Sequence, residues 1–102
     1  MKAKEYARVF IEKVDKDNAT QEVFDEEIVN ILRQFLLEGK DLIIKRNIQT
    51  NSGVYALISE LSLKWKVFAN IVNEHYNVGE LIKVDGFKTY IETSILLQTL
   101  KE

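Results

Sequence analysis

Apolar positions recur every three or four residues along nearly the whole chain, the spacing of one helix face. Ala3, Tyr6, Ala7, Phe10 and Val14 form such a stripe, widened by Ile11, while Lys2, Glu5, Arg8, Glu12 and Lys13 take the opposite side. The pattern predicts a first helix over about 3–15, ended by the run Asp15-Lys16-Asp17-Asn18. A second helix starts near Asn18 or Thr20. Asn18 followed by Gln21 reads as a capping box, and Glu22, Asp25, Glu26 and Glu27 suit the positive end of a helix dipole. Phe24, Ile28, Ile31 or Leu32, and Phe35 continue as its core stripe. Gly39 has two readings. It ends the helix as a left-handed cap, or the helix runs through it and the glycine lets a neighbour pack closely. The stretch 41–46 is helical either way, and 47–53 is a loop of turn formers.

The third segment carries the longest stripe: Val54, Leu57, Ile58, Leu61, Trp65, Phe68, Ile71, Val72 and then His75 or Tyr76. Asn51 or Ser52 is its expected N-cap, and Asn77-Val78-Gly79 stops it. At 1.5 Å per residue it is roughly 35 Å long, more than a domain of this size needs. It is therefore either the central helix or an element that projects towards a partner. The last segment is divided. Asp85-Gly86 between two apolar runs is the sequence of a tight hairpin turn over 80–91. Asp85 is equally a helix N-cap, after which Phe87, Tyr90, Ile91, Ser94, Leu97 and Gln98 keep a helical period. A lone hairpin is marginal in water, so the helix is preferred.

These elements make an all-α fold: one domain, an irregular bundle of four principal helices, or five if Gly39 breaks the second. A small C-terminal β-hairpin at 80–91 is the alternative ending. The expected core is Tyr6, Phe10, Phe24, Ile28, Ile31, Phe35, Leu42, Leu57, Ile58, Leu61, Trp65, Phe68, Val72, Ile91 and Leu97.

Composition narrows the function classes. The chain has 102 residues, 46% of them apolar, which is enough for one modest core and excludes a disordered tail. With no Cys, neither a disulfide scaffold nor a thiolate metal site can be built. No apolar run is long enough to span a bilayer. Met1–Glu5 has no apolar stretch behind its positive charge, so a signal peptide is not expected and the protein is placed in the cytoplasm. The formal charge of −2 argues against general nucleic-acid binding.

Candidate chemistry is sparse. The single His, His75, has no second His four residues away, so the helical zinc-site pattern is missing. The four Gly are isolated, and no phosphate-cradling loop can be drawn. Glu22, Asp25, Glu26 and Glu27 lie on one helix turn and cannot face each other across a cleft as paired acid and base must. No enzyme, cofactor or metal is expected. Three surfaces are candidates instead. Trp65, Ile71, His75 and Tyr76 mark the apolar stripe of the third helix, whose far end is covered either by another protein or a second copy, or by the segment 78–84 folding back with Leu81 and Ile82 as its apolar contacts. Glu22, Asp25, Glu26 and Glu27 offer an acidic surface to a basic partner. Lys45, Arg46, Lys64 and Lys66 offer a small basic surface, and nucleic acid is the alternative partner there.

Three short pieces carry a resemblance. Lys45-Arg46-Asn47, Lys64-Trp65 with Phe68, and Asp85-Gly86-Phe87 with Tyr90, in that order, resemble a pattern in short phage and prophage proteins. The resemblance covers the C-terminal two thirds of the chain. It implies a small helical protein of a mobile element and no particular activity.

Overall fold

The computed structural model describes residues 2–16 and 21–91, the side chains of 21–23, 89 and 90 excepted. The expected caps Asn18 and Thr20 and the expected core residue Leu97 lie outside these residues, as does the side chain of Glu22. The described residues are all-α and contain no strand. They form three long helices, α1 (Ala3–Lys16), α2 (Gln21–Lys45) and α3 (Asn51–Tyr76), followed by a single turn, α4 (Phe87–Tyr90). Among the described residues there are thus three principal helices, not the four or five expected.

α1 buries the stripe that its spacing predicts: Ala3, Tyr6, Ala7, Phe10 and Val14. α2 continues through Gly39, which is buried on the core side with Phe35 and Ile43. A mid-helix Gly costs about 1 kcal/mol relative to Ala, and burial of its neighbours on both sides holds the helix together across it. The real end comes at Asn47, in the left-handed region at φ 53°. Ile48 N–H donates to Ile43 C=O (3.0 Å) and Asn47 N–H to Ile44 C=O (3.2 Å), the two bonds of a Schellman cap. Asn tolerates this conformation almost as Gly does.

The turn that follows is short, so α3 must run back antiparallel to α2. Its N-cap is Thr50, not Asn51 or Ser52: Thr50 is extended (φ −124°, ψ 153°) and its hydroxyl accepts from Gly53 N–H at 3.0 Å. Gly53 also lets the turn close. A Cβ there would sit 2.7 Å from Ile48 Cγ2. Thr50→Ala removes the side-chain acceptor at this cap and is expected to cost about 1 kcal/mol. Thermal unfolding should register it as a drop of about 4–8 °C in Tm.

α3 is the central element, with Val54, Leu57, Ile58, Leu61, Trp65, Phe68, Ala69 and Val72 buried. It stops at Asn77, again left-handed, whose N–H donates to Asn73 C=O (3.0 Å). The chain then turns back along α3. Trp65 Nε1–H donates to Lys83 C=O (3.0 Å). Asn73 holds Ile82 through both of its backbone polar groups, Nδ2 donating to Ile82 C=O (2.9 Å) and Oδ1 accepting from Ile82 N–H (2.8 Å). No hairpin forms, because a type I′ turn needs positive φ at both central residues and Gly86 sits at φ −81°. Gly86, rather than Asp85, is the N-cap of α4, and Ile91 beyond it is extended.

The ion pair Lys13–Glu27 (2.7 Å) and the bond from Tyr6 to Glu38 run α1 antiparallel to α2; Asp15 meets Tyr76 at the same end, so α1 and α3 are parallel. The core is aromatic at its centre. Phe35 is fully enclosed, with ring centroids at 4.6 Å from Tyr6, 5.8 Å from Trp65 and 5.9 Å from Phe87. Phe10 meets Phe68 edge-on at 5.6 Å. Of the expected core, Phe24, Ile28 and Leu42 are only half-buried, and Ile43 takes the place assigned to Leu42. The molecule measures 43 × 21 × 20 Å.

Candidate functional site

The far end of the α3 stripe is covered from within the chain. Trp65 has no exposed surface and offers none to a partner. Tyr76 and Ile71 are half-buried, and only His75 is exposed. The cover comes from the last turn of α1 and the start of α2. Asp15 accepts from Tyr76 O–H through Oδ1 (3.0 Å), and its Oδ2 lies 3.2 Å from His75 Nε2. Phe24 packs edge-on against the Tyr76 ring at 5.3 Å. One carboxylate thus ties two neighbouring aromatic side chains of α3 to α1. An Asp–His pair can orient an imidazole for base catalysis, but here the second Asp15 oxygen is engaged by a phenol.

A second carboxylate does comparable work further along, and the residue pattern did not single it out. Glu38, on α2, accepts from Tyr6 O–H (3.3 Å) through one oxygen and from the Lys64 ammonium through the other, joining all three helices. Both tyrosines are pushed up to about 12. For Tyr6 the chief cause is burial, then the charge of Glu38 and the bond to it. For Tyr76 it is burial, then the bond to Asp15 and its charge. Below the ordinary tyrosine value near 10, both phenols stay protonated whether the chain is folded or not, and their contribution is complete. Between about 10 and about 12 the unfolded chain ionises first, so stability falls as pH rises. Tm measured from pH 9 to 12 should decline through that window, and Tyr6→Phe and Tyr76→Phe should each flatten the decline.

The acidic group does not form one surface. Glu27 is buried at its contact with Lys13 of α1, while Asp25 and Glu26 are exposed. The basic group is divided too. Lys64 and Lys66 are two positions apart on α3 and so point roughly 200° apart. Arg46 grips Glu60 through its two terminal guanidinium nitrogens (2.6 and 3.2 Å), and Lys66 pairs with Asp85 at 3.1 Å. The Arg46 bond holds Glu60 below its ordinary value and raises Arg46 itself. Lys45 is exposed beside Arg46. The antiparallel packing does bring Arg46 within one turn of Lys64, but each of the two already holds a carboxylate.

A groove of about 390 Å³ lies between α3 and the returning chain, lined by Ser59, Ser62, Leu63, Lys66, Val84 and Phe87 among others. His75 is not in it. Its two hydroxyls are committed, Ser59 to Tyr55 C=O (3.1 Å) and Ser62 to Ile58 C=O (2.8 Å). Among the described residues no group of three or more His, Asp or Glu could hold a metal ion. Among them, too, no helix is long and apolar enough to cross a membrane.

What the sequence pattern did not single out is the outer surface of α2. Leu37 is 59% exposed and Ile44 76%, two turns apart on one side of the helix. On α3, Leu63 and Val67 are also exposed, one turn apart. No protein family, characterised protein or solved structure matches the chain. Nothing in those comparisons links it to the phage and prophage proteins that its motifs resemble.

Proposed function

We propose that the protein is a cytoplasmic, non-enzymatic helical module that works by binding another protein through a helix face. The observation that carries this reading is the pair Leu37 and Ile44, held in water on the outer side of α2. A helix whose inner stripe is already packed gains nothing for folding from large apolar residues on its outer stripe, and such residues favour association. The arrangement of charge supports the same reading over nucleic acid, since Arg46, Lys64 and Lys66 each hold a carboxylate. The test is a photoreactive phenylalanine analogue placed at position 37, 44 or 63, with Lys4 on the polar side of α1 as the control position. The expected result is a discrete crosslinked species from at least one of the first three and none from position 4. Adducts from no position, or equally from all four, overturn the proposal.

A further inference from the structure

On the reading that α2 presents a protein-binding face, we infer that its occupant is a second copy of this chain, docked antiparallel with Leu37 on the two-fold axis. The outer stripe of α2 is self-complementary about that residue. Arg33 lies one turn before Leu37 and Asp41 one turn after it, all three exposed, and neither charge has an ion-pair partner among the described residues. In an antiparallel two-fold contact, the residue n places after the centre meets the residue n places before it in the other copy. Arg33 of each copy then meets Asp41 of the other, twice over. Gln34 meets Lys40 in the same way, with an amide oxygen facing an ammonium. Ile44 lands beside Val29 and Asn30, and Val29 is itself 46% exposed. A parallel contact would oppose Arg33 to Arg33 and Asp41 to Asp41, and like-charge repulsion disfavours it. The row 33, 37, 41 is an i±4 ridge, and two such ridges lie side by side in the commonest helix-crossing class, near −50°. Helices crossing at that angle diverge after about two turns on each side. The contact is therefore smaller than a standard interface, and a dimer dissociating in the micromolar range is expected.

Sedimentation equilibrium from micromolar to several hundred micromolar tests this directly. The wild-type chain should move from 11.9 kDa towards twice that mass as concentration rises. Leu37→Glu should raise the dissociation constant at least tenfold. Asp41→Arg should do the same, by placing a second guanidinium opposite Arg33 in both symmetry-related contacts. The double variant Arg33→Asp with Asp41→Arg restores opposite charges and should return the constant to within about threefold of wild type. These side chains are exposed, and unchanged circular dichroism would show that each variant folds. A single 11.9 kDa species throughout overturns the inference, as does a dimer indifferent to Asp41→Arg or one not rescued by the double swap. A monomer that still crosslinks at position 37 to a protein of another mass overturns only the second copy as occupant. A monomer that crosslinks to nothing overturns the binding face as well.

Discussion

Trp65→Ala should lower the unfolding free energy by about 3–5 kcal/mol, the range for deleting a fully buried large aromatic. The residue has no exposed surface. Its ring lies 5.0 Å from Phe68, 5.8 Å from Phe35 and 6.2 Å from Phe87, so one deletion unpacks contacts to α2, α3 and the returning chain together. It also leaves Lys83 C=O without its indole donor. Against a total of about 5–15 kcal/mol for a domain of this kind, the variant should be close to unfolding at 37 °C. Chemical denaturation followed by circular dichroism measures it. A midpoint unchanged from wild type would mean that the ring is not enclosed in solution.

The second large effect is expected at Asn73. Its side chain satisfies both the N–H and the C=O of Ile82, as a neighbouring strand would, and so holds an irregular segment against a helix. Asn73→Ala strands two backbone groups beside Ile82, which is only 1% exposed. Two lost hydrogen bonds with partly unsatisfied partners amount to about 2–4 kcal/mol. Asn73→Asp keeps the shape and the acceptor but replaces the donor with an oxygen facing Ile82 C=O, and should not rescue. Hydrogen exchange at the Ile82 amide checks the cause. It should accelerate in both variants by more than the change in global stability alone would give.

How much of this was legible in the sequence depended on whether the determining contact was local. The stripe of α1 and that of α3 were readable because one face of each meets one core. Gly39 was not, since a glycine inside a helix and a glycine ending one have the same neighbours in sequence; the stop eight residues later lies in the φ of Asn47. Thr50, Asn51 and Ser52 are all capable caps, and only the geometry of the Gly53 amide chooses among them. The ending misled the pattern for a different reason. Ile82 and Phe87 are buried by Asn73, Trp65 and Phe35, contacts made across the chain that no period records. The pairing of the candidate surface charges was hidden in the same way. Arg46 with Glu60, Lys64 with Glu38, and Lys13 with Glu27 are 14 or more residues apart, so the charges looked available until the helices were placed side by side. The exposed side of α2 was hidden by its own inner stripe, where large apolar residues are denser and dominate the helical period.

The bond from the indole of Trp65 to Lys83 C=O gives the molecule a built-in spectroscopic gauge. Trp65 is the sole tryptophan, so the red-shifted emission that signals a water-exposed indole has a single source. While the returning chain is seated, that source is dry, hydrogen-bonded and flanked by Phe35 and Phe87. Lifting the segment away wets the indole without requiring α1, α2 or α3 to melt. Fluorescence and far-ultraviolet ellipticity therefore follow different parts of the molecule. Any denaturant, temperature or binding event that moves the first curve ahead of the second reports departure of the strap from an intact three-helix body.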